Sequence, residues 1–77
     1  MVAGEKNFCR NLKHIRKQKK MTQKEMARIL KIGVSTLRKI ENEDPTVRIS
    51  GQMLYRVCAA LDVPSDRLLS EAPEENI

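Results

Sequence analysis

The chain has few aromatic residues. Phe8 and Tyr55 are the two aromatic rings among 77 residues, and tryptophan is absent, so the core must be built from Leu, Ile, Val and Met. Cysteine is equally sparse. Cys9 and Cys58 are too few for a disulfide framework or a metal site. Each lies beside an apolar stripe and reads as small buried filler, and a reducing, cytoplasmic compartment is expected. No apolar run approaches the length of a membrane span and no signal-peptide core is read, so no membrane association is expected. Internal repeats and low-complexity tracts are missing too. A chain of this length makes one small domain with a modest core. It has no room for a deep substrate cleft together with a catalytic framework. No nucleophile–base constellation, phosphate loop or metal-ligand spacing is visible, and an enzyme, a cofactor and a metal are therefore not expected. His14 has no Cys, His or acid at ligand spacing and reads as a surface residue.

Acidic residues are scarce in the first half. Residues 1–40 carry 12 Lys/Arg against 2 acids, whereas residues 41–77 carry 3 Arg against 8 acids. The net charge of +5 is thus split into a strongly basic half and an acidic half. A polyanion would be drawn to the basic half. A solvated lysine-rich surface is the bland alternative, and the choice rests on where the charges lie.

The apolar periodicity predicts five helices and no strands. The first covers residues 7–19, with Phe8, Leu12 and Ile15 in one arc, Cys9 at its edge, and Lys13, His14, Lys17 and Lys20 largely outside it. Thr22-Gln23-Lys24-Glu25 is a capping box, in which the Thr22 hydroxyl accepts from the Glu25 N–H and the Glu25 carboxylate from the Thr22 N–H. It opens a second helix with Met26, Ala27 and Leu30 inward. The third covers residues 34–41 with Leu37 and Ile40 inward. After a loop at 42–49, Ser50 is a plausible N-cap for a fourth helix burying Leu54, Val57, Cys58 and Leu61. Pro64-Ser65-Asp66 opens a short fifth helix with Leu68 and Leu69. The expected organisation is a flexible stretch at 1–6, one folded domain at 7–70 and an acidic, disordered tail at 71–77.

The second and third helices are separated by Lys31-Ile32-Gly33 alone. A short connection fixes the angle between two helices. That is what a DNA reader needs when one helix enters the major groove and the other braces it across the backbone. At about 100° per residue, Leu37 and Ile40 face inward while Val34, Ser35, Arg38, Lys39 and Asn42 face outward. Arg38 and Lys39 can donate to guanine O6 and N7, Ser35 can donate or accept, and Val34 can touch a thymine methyl. These four are the expected base contacts. Lys24, Thr36, Asn42 and Arg48 are expected at phosphates, and Lys13, Lys17, Lys20 and Arg28 are further candidates. Arg16 falls about 40° from Leu12, and Glu41 about 40° from Leu37, so both charges sit at apolar arcs and need a partner. They are expected to pair with each other.

Residues 22–41 resemble the helix-turn-helix of the Cro-type (Xre) repressor family, as in the lambdoid phage repressors. The matching positions are Thr22-Gln23, Ala27, Leu30, Ile32, Leu37, Ile40 and Glu41. Leu12 and Arg16 before them, and Ala60-Leu61-Asp62-Val63 after them, extend the likeness over about residues 7–69. The resemblance implies a lambda repressor-like, all-α DNA-binding fold of five helices. It also implies that Gln23 contacts a phosphate and packs on a residue at the start of the third helix, and that Arg16 and Glu41 form an ion pair. The chain departs from the family pattern at Lys31 and Glu43, where glycine is usual, and at Gly33, where a Ser or Thr cap is common.

The function implied is a transcriptional regulator, a repressor, binding a palindromic operator in double-stranded DNA as a homodimer. Its interface is expected along the fourth and fifth helices, with Tyr55, Arg56, Val63, Arg67 or Leu68 exposed. The competing reading is a protein-interaction module on the same fold, such as an antitoxin or a partner-binding subunit, engaging another chain through the second half.

Overall fold

Five helices account for almost all the regular structure of the computed structural model, which describes residues 3–71. They are α1 (Ala3–Gln18), α2 (Gln23–Leu30), α3 (Val34–Glu41), α4 (Gly51–Leu61) and α5 (Ser65–Leu69), with no strand among the described residues. Helix α1 packs against α3 and α5, α2 packs against α3 and α4, and α4 touches α5. The result is nearly isotropic, 26 × 26 × 25 Å.

Local side-chain caps set the starts of α2 and α4. Thr22 caps α2 as a complete box: Glu25 N–H donates to Thr22 Oγ1 at 3.1 Å, and Thr22 N–H donates to Glu25 Oε1 at 2.8 Å. Ser50 Oγ accepts from the Met53 N–H at 3.2 Å and caps α4. Gly33 precedes α3 in extended conformation and offers no side-chain cap. Helix α1 begins at Ala3, a turn before the predicted start, so residues 3–6 are helical rather than an extension of the N-terminus. The cause is tertiary. Glu5 Oε2 accepts from the Ile49 N–H at 3.3 Å, and Asn7 Nδ2 donates to the Leu69 carbonyl at 3.1 Å. Of the predicted acidic tail, residues 72–77 lie outside the described residues.

Four helix ends turn through the left-handed region on a residue other than glycine: Lys20, Lys31, Glu43 and Asp62, with φ between 54° and 58°. Each such turn costs about 1–2 kcal/mol for an L-residue. At Lys31 the turn lets the backbone N–H of Ile32 reach the Ala27 carbonyl at 3.0 Å, so the last carbonyls of α2 are used. Arg56 adds to this end from α4, its Nη1 donating to the Leu30 carbonyl at 3.3 Å.

The core is aliphatic apart from Phe8. It joins Phe8, Cys9, Leu12 and Ile15 of α1 to Met26, Ala27 and Leu30 of α2, Leu37 and Ile40 of α3, Val57 of α4 and Leu68 of α5. On α4 only Val57 is fully buried, while Leu54, Cys58 and Leu61 are half-covered at its margin. Burial pushes the Cys9 thiol up to about 11, with the nearby Glu43 and Glu5 carboxylates adding to the effect. One amide sits inside this apolar set. Asn11 is 4% exposed, and its Nδ2 donates to the carbonyls of Leu68 at 2.9 Å and Ser70 at 2.8 Å. Asn11 and Asn7 thereby satisfy carbonyls that a five-residue helix cannot satisfy internally.

These contacts correct the predicted exposed face of α4 and α5. Leu68 is fully buried, because α5 is held on α1 by the two asparagines with Leu68 inward. Its neighbour Leu69 takes the outer position at 42% exposure. Arg56 and Val63 are half-buried, the first at the end of α2 and the second against the core, while Tyr55 and Arg67 are exposed.

Candidate nucleic-acid interface

Helix α3 is eight residues long, about 12 Å at 1.5 Å per residue, and a helix with its side chains is about 10–12 Å across, which matches the width of the DNA major groove. Its inner side is committed to the core through Leu37 and Ile40, which fixes what remains outside. Ser35, Arg38 and Lys39 are exposed, and Val34 is half-buried against the core margin. Among the expected phosphate contacts, Lys24 on α2, Asn42 at the C-cap of α3 and Arg48 in the following loop are exposed, while Gln23 and Thr36 are half-buried. Lys17, Lys20 and Arg28 are exposed, and Lys13 and His14 are half-buried.

Behind this face lies a buried ion pair. Arg16 Nε donates to Glu41 Oε2 at 2.6 Å and Arg16 Nη2 donates to Glu41 Oε1 at 3.0 Å, a bidentate geometry. The Glu41 side chain is 2% exposed and that of Arg16 13%. Arg16 Nη1 also donates to the Met21 carbonyl at 2.9 Å, tying the α1–α2 turn to the pair. Glu41 accepts a third bond from Gln23 Nε2 at 3.2 Å, and Gln23 Oε1 accepts from Arg38 Nε at 3.3 Å. A continuous line of polar contacts therefore runs from the core through the first residue of α2 to the outer face of α3. Periodicity had placed Arg16, Glu41 and Arg38 individually. It had also paired Arg16 with Glu41, but it had not joined that pair to Arg38 through Gln23.

The loop after α3 replaces the usual glycine with Glu43, which adopts the left-handed conformation at φ 57°. Its carboxylate accepts from Arg10 Nε at 3.1 Å, so the departure from glycine comes with a surface ion pair back to α1. Asp44 accepts from both the Thr46 hydroxyl at 2.6 Å and the Thr46 N–H at 2.8 Å, and these bonds hold its carboxyl below the ordinary range. This short turn delivers Val47 and Ile49 back to the core margin and leaves Arg48 outward.

A brace helix, a three-residue break, a short outward-facing helix and a buried pair locking them are the geometry of a helix-turn-helix. The sequence profile of the helix-turn-helix family matches residues 12–68, most of the chain. The chain belongs to that family. Its all-helical architecture is that of the lambda repressor-like fold, and its function is that of a DNA-binding regulator acting on double-stranded DNA. Searches of curated proteins and of solved structures found no match.

Other sites in this helix-turn-helix protein are modest. A cleft of about 250 Å³ is lined by Gly4, Glu5, Phe8, Ile49, Leu54 and Leu69, among others, with no residue of α2 or α3. Small-molecule pockets are about 300–1,000 Å³ with convergent polar groups, and this one is smaller and mostly apolar. Among the described residues, no group of three or more His, Cys, Asp or Glu side chains could hold a metal, and no helix is long and apolar enough to cross a membrane.

Proposed function

We propose that this protein is a transcriptional repressor that binds a palindromic operator as a dimer, with α3 lying in the major groove. The observation that carries the reading is the exposed Ser35, Arg38 and Lys39 face on a helix whose opposite side is fixed in the core. Ser35, Arg38 and Lys39 contact base edges, and Val34 supplies an apolar contact at the start of the helix. Gln23, Lys24, Thr36, Asn42 and Arg48 contact phosphates and set the register, and Lys13, Lys17, Lys20 and Arg28 add to the field that draws the duplex in. One domain reads few base pairs. Two domains, each about 26 Å across, can present their α3 helices to half-sites about 34 Å apart. Two exposed large apolar side chains among the described residues, Tyr55 on α4 at 73% and Leu69 on α5 at 42%, support an interface along these helices. Occupancy of promoter DNA then accounts for repression, in the cytoplasm at the nucleoid.

The test is selection of random duplexes by the pure protein, followed by affinity measurement at two salt concentrations. The expected result is an inverted repeat with half-sites one helical turn apart, and a loss of about 1–3 kcal/mol on the best site for Arg38→Ala or Lys39→Ala with altered preference at one base pair. Removing one phosphate-contacting lysine should weaken all sequences alike and flatten the salt dependence by about one unit. If Ser35→Ala, Arg38→Ala and Lys39→Ala all keep the wild-type preference, α3 is not the reader. The exposed Tyr55 and the acidic second half then favour the second reading, an antitoxin or other module that binds a protein partner.

A further inference from the structure

Helix α1 carries a basic surface of its own. Counted from Gly4 at about 100° per residue, Lys6, Arg10, Lys13 and Lys17 fall at about 200°, 240°, 180° and 220°. Phe8, Leu12 and Ile15, which hold α1 on the core, fall at about 40°, 80° and 20°. The four cations therefore form a stripe on the side turned away from the core, about 17 Å from Lys6 to Lys17 at 1.5 Å per residue. Lys6, Arg10 and Lys17 are exposed and Lys13 is half-buried. The three lysine side chains have no hydrogen bond or ion pair among the described residues, and Arg10 uses only its Nε on Glu43. Glu5, the one acid of α1, accepts from the Ile49 N–H.

Two acidic residues divide this stripe from the reading face. Glu43 accepts from Arg10, and the Asp44 N–H closes the end of α3 on the Lys39 carbonyl at 3.0 Å. A duplex seated on Ser35, Arg38 and Lys39 thus meets negative charge before it reaches the stripe at that end. Helix α1 itself stands behind α3, since Arg16 reaches Glu41 on the buried side. The stripe is a flank with its own field rather than the margin of the reading helix.

Lysines in a row are point charges suited to a polyanion, and the polyanion that this family binds is duplex DNA. Other anionic partners lack a necessary part. Single-stranded nucleic acid is held on aromatic side chains, whereas Phe8 is in the core and Tyr55 is on α4. A membrane surface takes an amphipathic helix by its apolar side, and that side of α1 is in the core. We infer that the α1 stripe binds the phosphate backbone of a second DNA segment, so that a chain seated on its site through α3 bridges two duplexes. The inference rests on the α3 reading above. Lys13 and Lys17 serve the field at both surfaces, whereas Lys6 and Arg10 belong to the stripe alone.

The experiment tethers the best duplex from the selection, saturates it with the intact chain, and measures capture of a labelled random-sequence duplex at several salt concentrations. Wild type is compared with Lys6→Gln, Arg10→Gln and the double variant, each checked by thermal melting. Wild type should capture the second duplex whatever its sequence. The double variant should flatten the salt dependence of capture by about 1.8 units, about 0.9 for each lost phosphate contact, with the salt dependence on the tethered duplex unchanged. Lys6→Gln leaves the Arg10–Glu43 pair intact and should flatten capture by about 0.9 units, which suffices should the Arg10 variant fold poorly. The inference is overturned, with the α3 reading intact, if no random duplex is captured or if the variants capture it as wild type does, since bridging then comes from the second reading helix of a dimer. It is also overturned if the variants flatten the salt dependence on the tethered duplex instead, since one duplex then touches both surfaces. Capture of polyglutamate in place of the random duplex overturns it in favour of an acidic protein partner. If Arg38→Ala with Lys39→Ala leaves binding to the tethered duplex as in wild type, the α3 reading fails and takes the inference with it.

Discussion

Glu41→Ala should destabilise the protein far more than its single side chain suggests. The carboxylate is 2% exposed and accepts three hydrogen bonds, two of them from Arg16. Truncation leaves Arg16, whose side chain is 13% exposed in the intact protein, with the Met21 carbonyl as its remaining partner. Breaking a buried pair from one side costs about 3–5 kcal/mol. Residual solvation of Arg16 argues for the lower end, about 3 kcal/mol. At about 0.05–0.15 kcal/mol per residue, a chain of 77 residues has about 4–12 kcal/mol in total. The loss is therefore a large fraction of the whole. For a domain of this size it corresponds to a fall in melting temperature of about 12–24 °C. Thermal melts followed by circular dichroism measure it. The control is the double variant Arg16→Met with Glu41→Leu, which removes both charges and their desolvation. Such replacements are often neutral or stabilising, so its melting temperature should return to wild type or exceed it. The reasoning is refuted by a Glu41→Ala variant that melts with wild type, or by a double variant as unstable as the single one.

Three further outcomes follow from the geometry. Asn11→Ala strands the buried Leu68 carbonyl and should cost about 1–3 kcal/mol in urea unfolding; Asn11→Asp should cost more at neutral pH, because a carboxylate there faces two carbonyl oxygens. Lys31→Gly should stabilise by about 0.5–1 kcal/mol, the relieved left-handed strain less the added freedom of the unfolded chain. Glu43→Gly should gain less, since it also breaks the ion pair with Arg10. Glu25 is held below its ordinary value of 4.5, first by the Thr22 N–H and then by the Thr22 hydroxyl. Its contribution is therefore complete above 4.5 and is lost as pH falls below it through the lower folded-state value. Melting curves of wild type and Glu25→Gln, which cannot titrate there, should converge as the pH is lowered through that window.

What could be read along the chain was what local chemistry decides. The Thr22–Glu25 box and Ser50 cap their helices through bonds three residues long, and the inward stripe of α3 follows from the helical period alone. The start of α1 was not legible, because the bond that supports it, from the Ile49 N–H to Glu5, spans 44 residues of chain. Leu68 and Leu69 could not be told apart by pattern, since five residues are too few to define a stripe; two asparagines on α1 make the choice. Asn11 itself could have been flagged. It falls about 40° from Ile15 on the helical wheel, and a polar group inside an apolar arc needs a partner. The same argument did pair Arg16 with Glu41. It did not reach Gln23, which has no apolar arc to violate and whose two partners lie 18 and 15 residues away.

Exchanging a buried ion pair for apolar side chains of similar volume is often neutral or stabilising, so stability alone does not account for a charge in this core. Its other effect is directional. A hydrophobic pair has no donor or acceptor and cannot tell the Gln23 amide which way to face, whereas Glu41 can. Arg38 then meets a carbonyl rather than an amide N–H, and its free donors project from the reading face. The Arg16→Met, Glu41→Leu variant separates the two effects. Its melting temperature should match or exceed that of wild type, yet its preference for the base that Arg38 contacts should drop. A variant that regains stability and keeps full discrimination would show that the outer face of α3 is set by packing alone, with the polar line behind it contributing nothing to recognition.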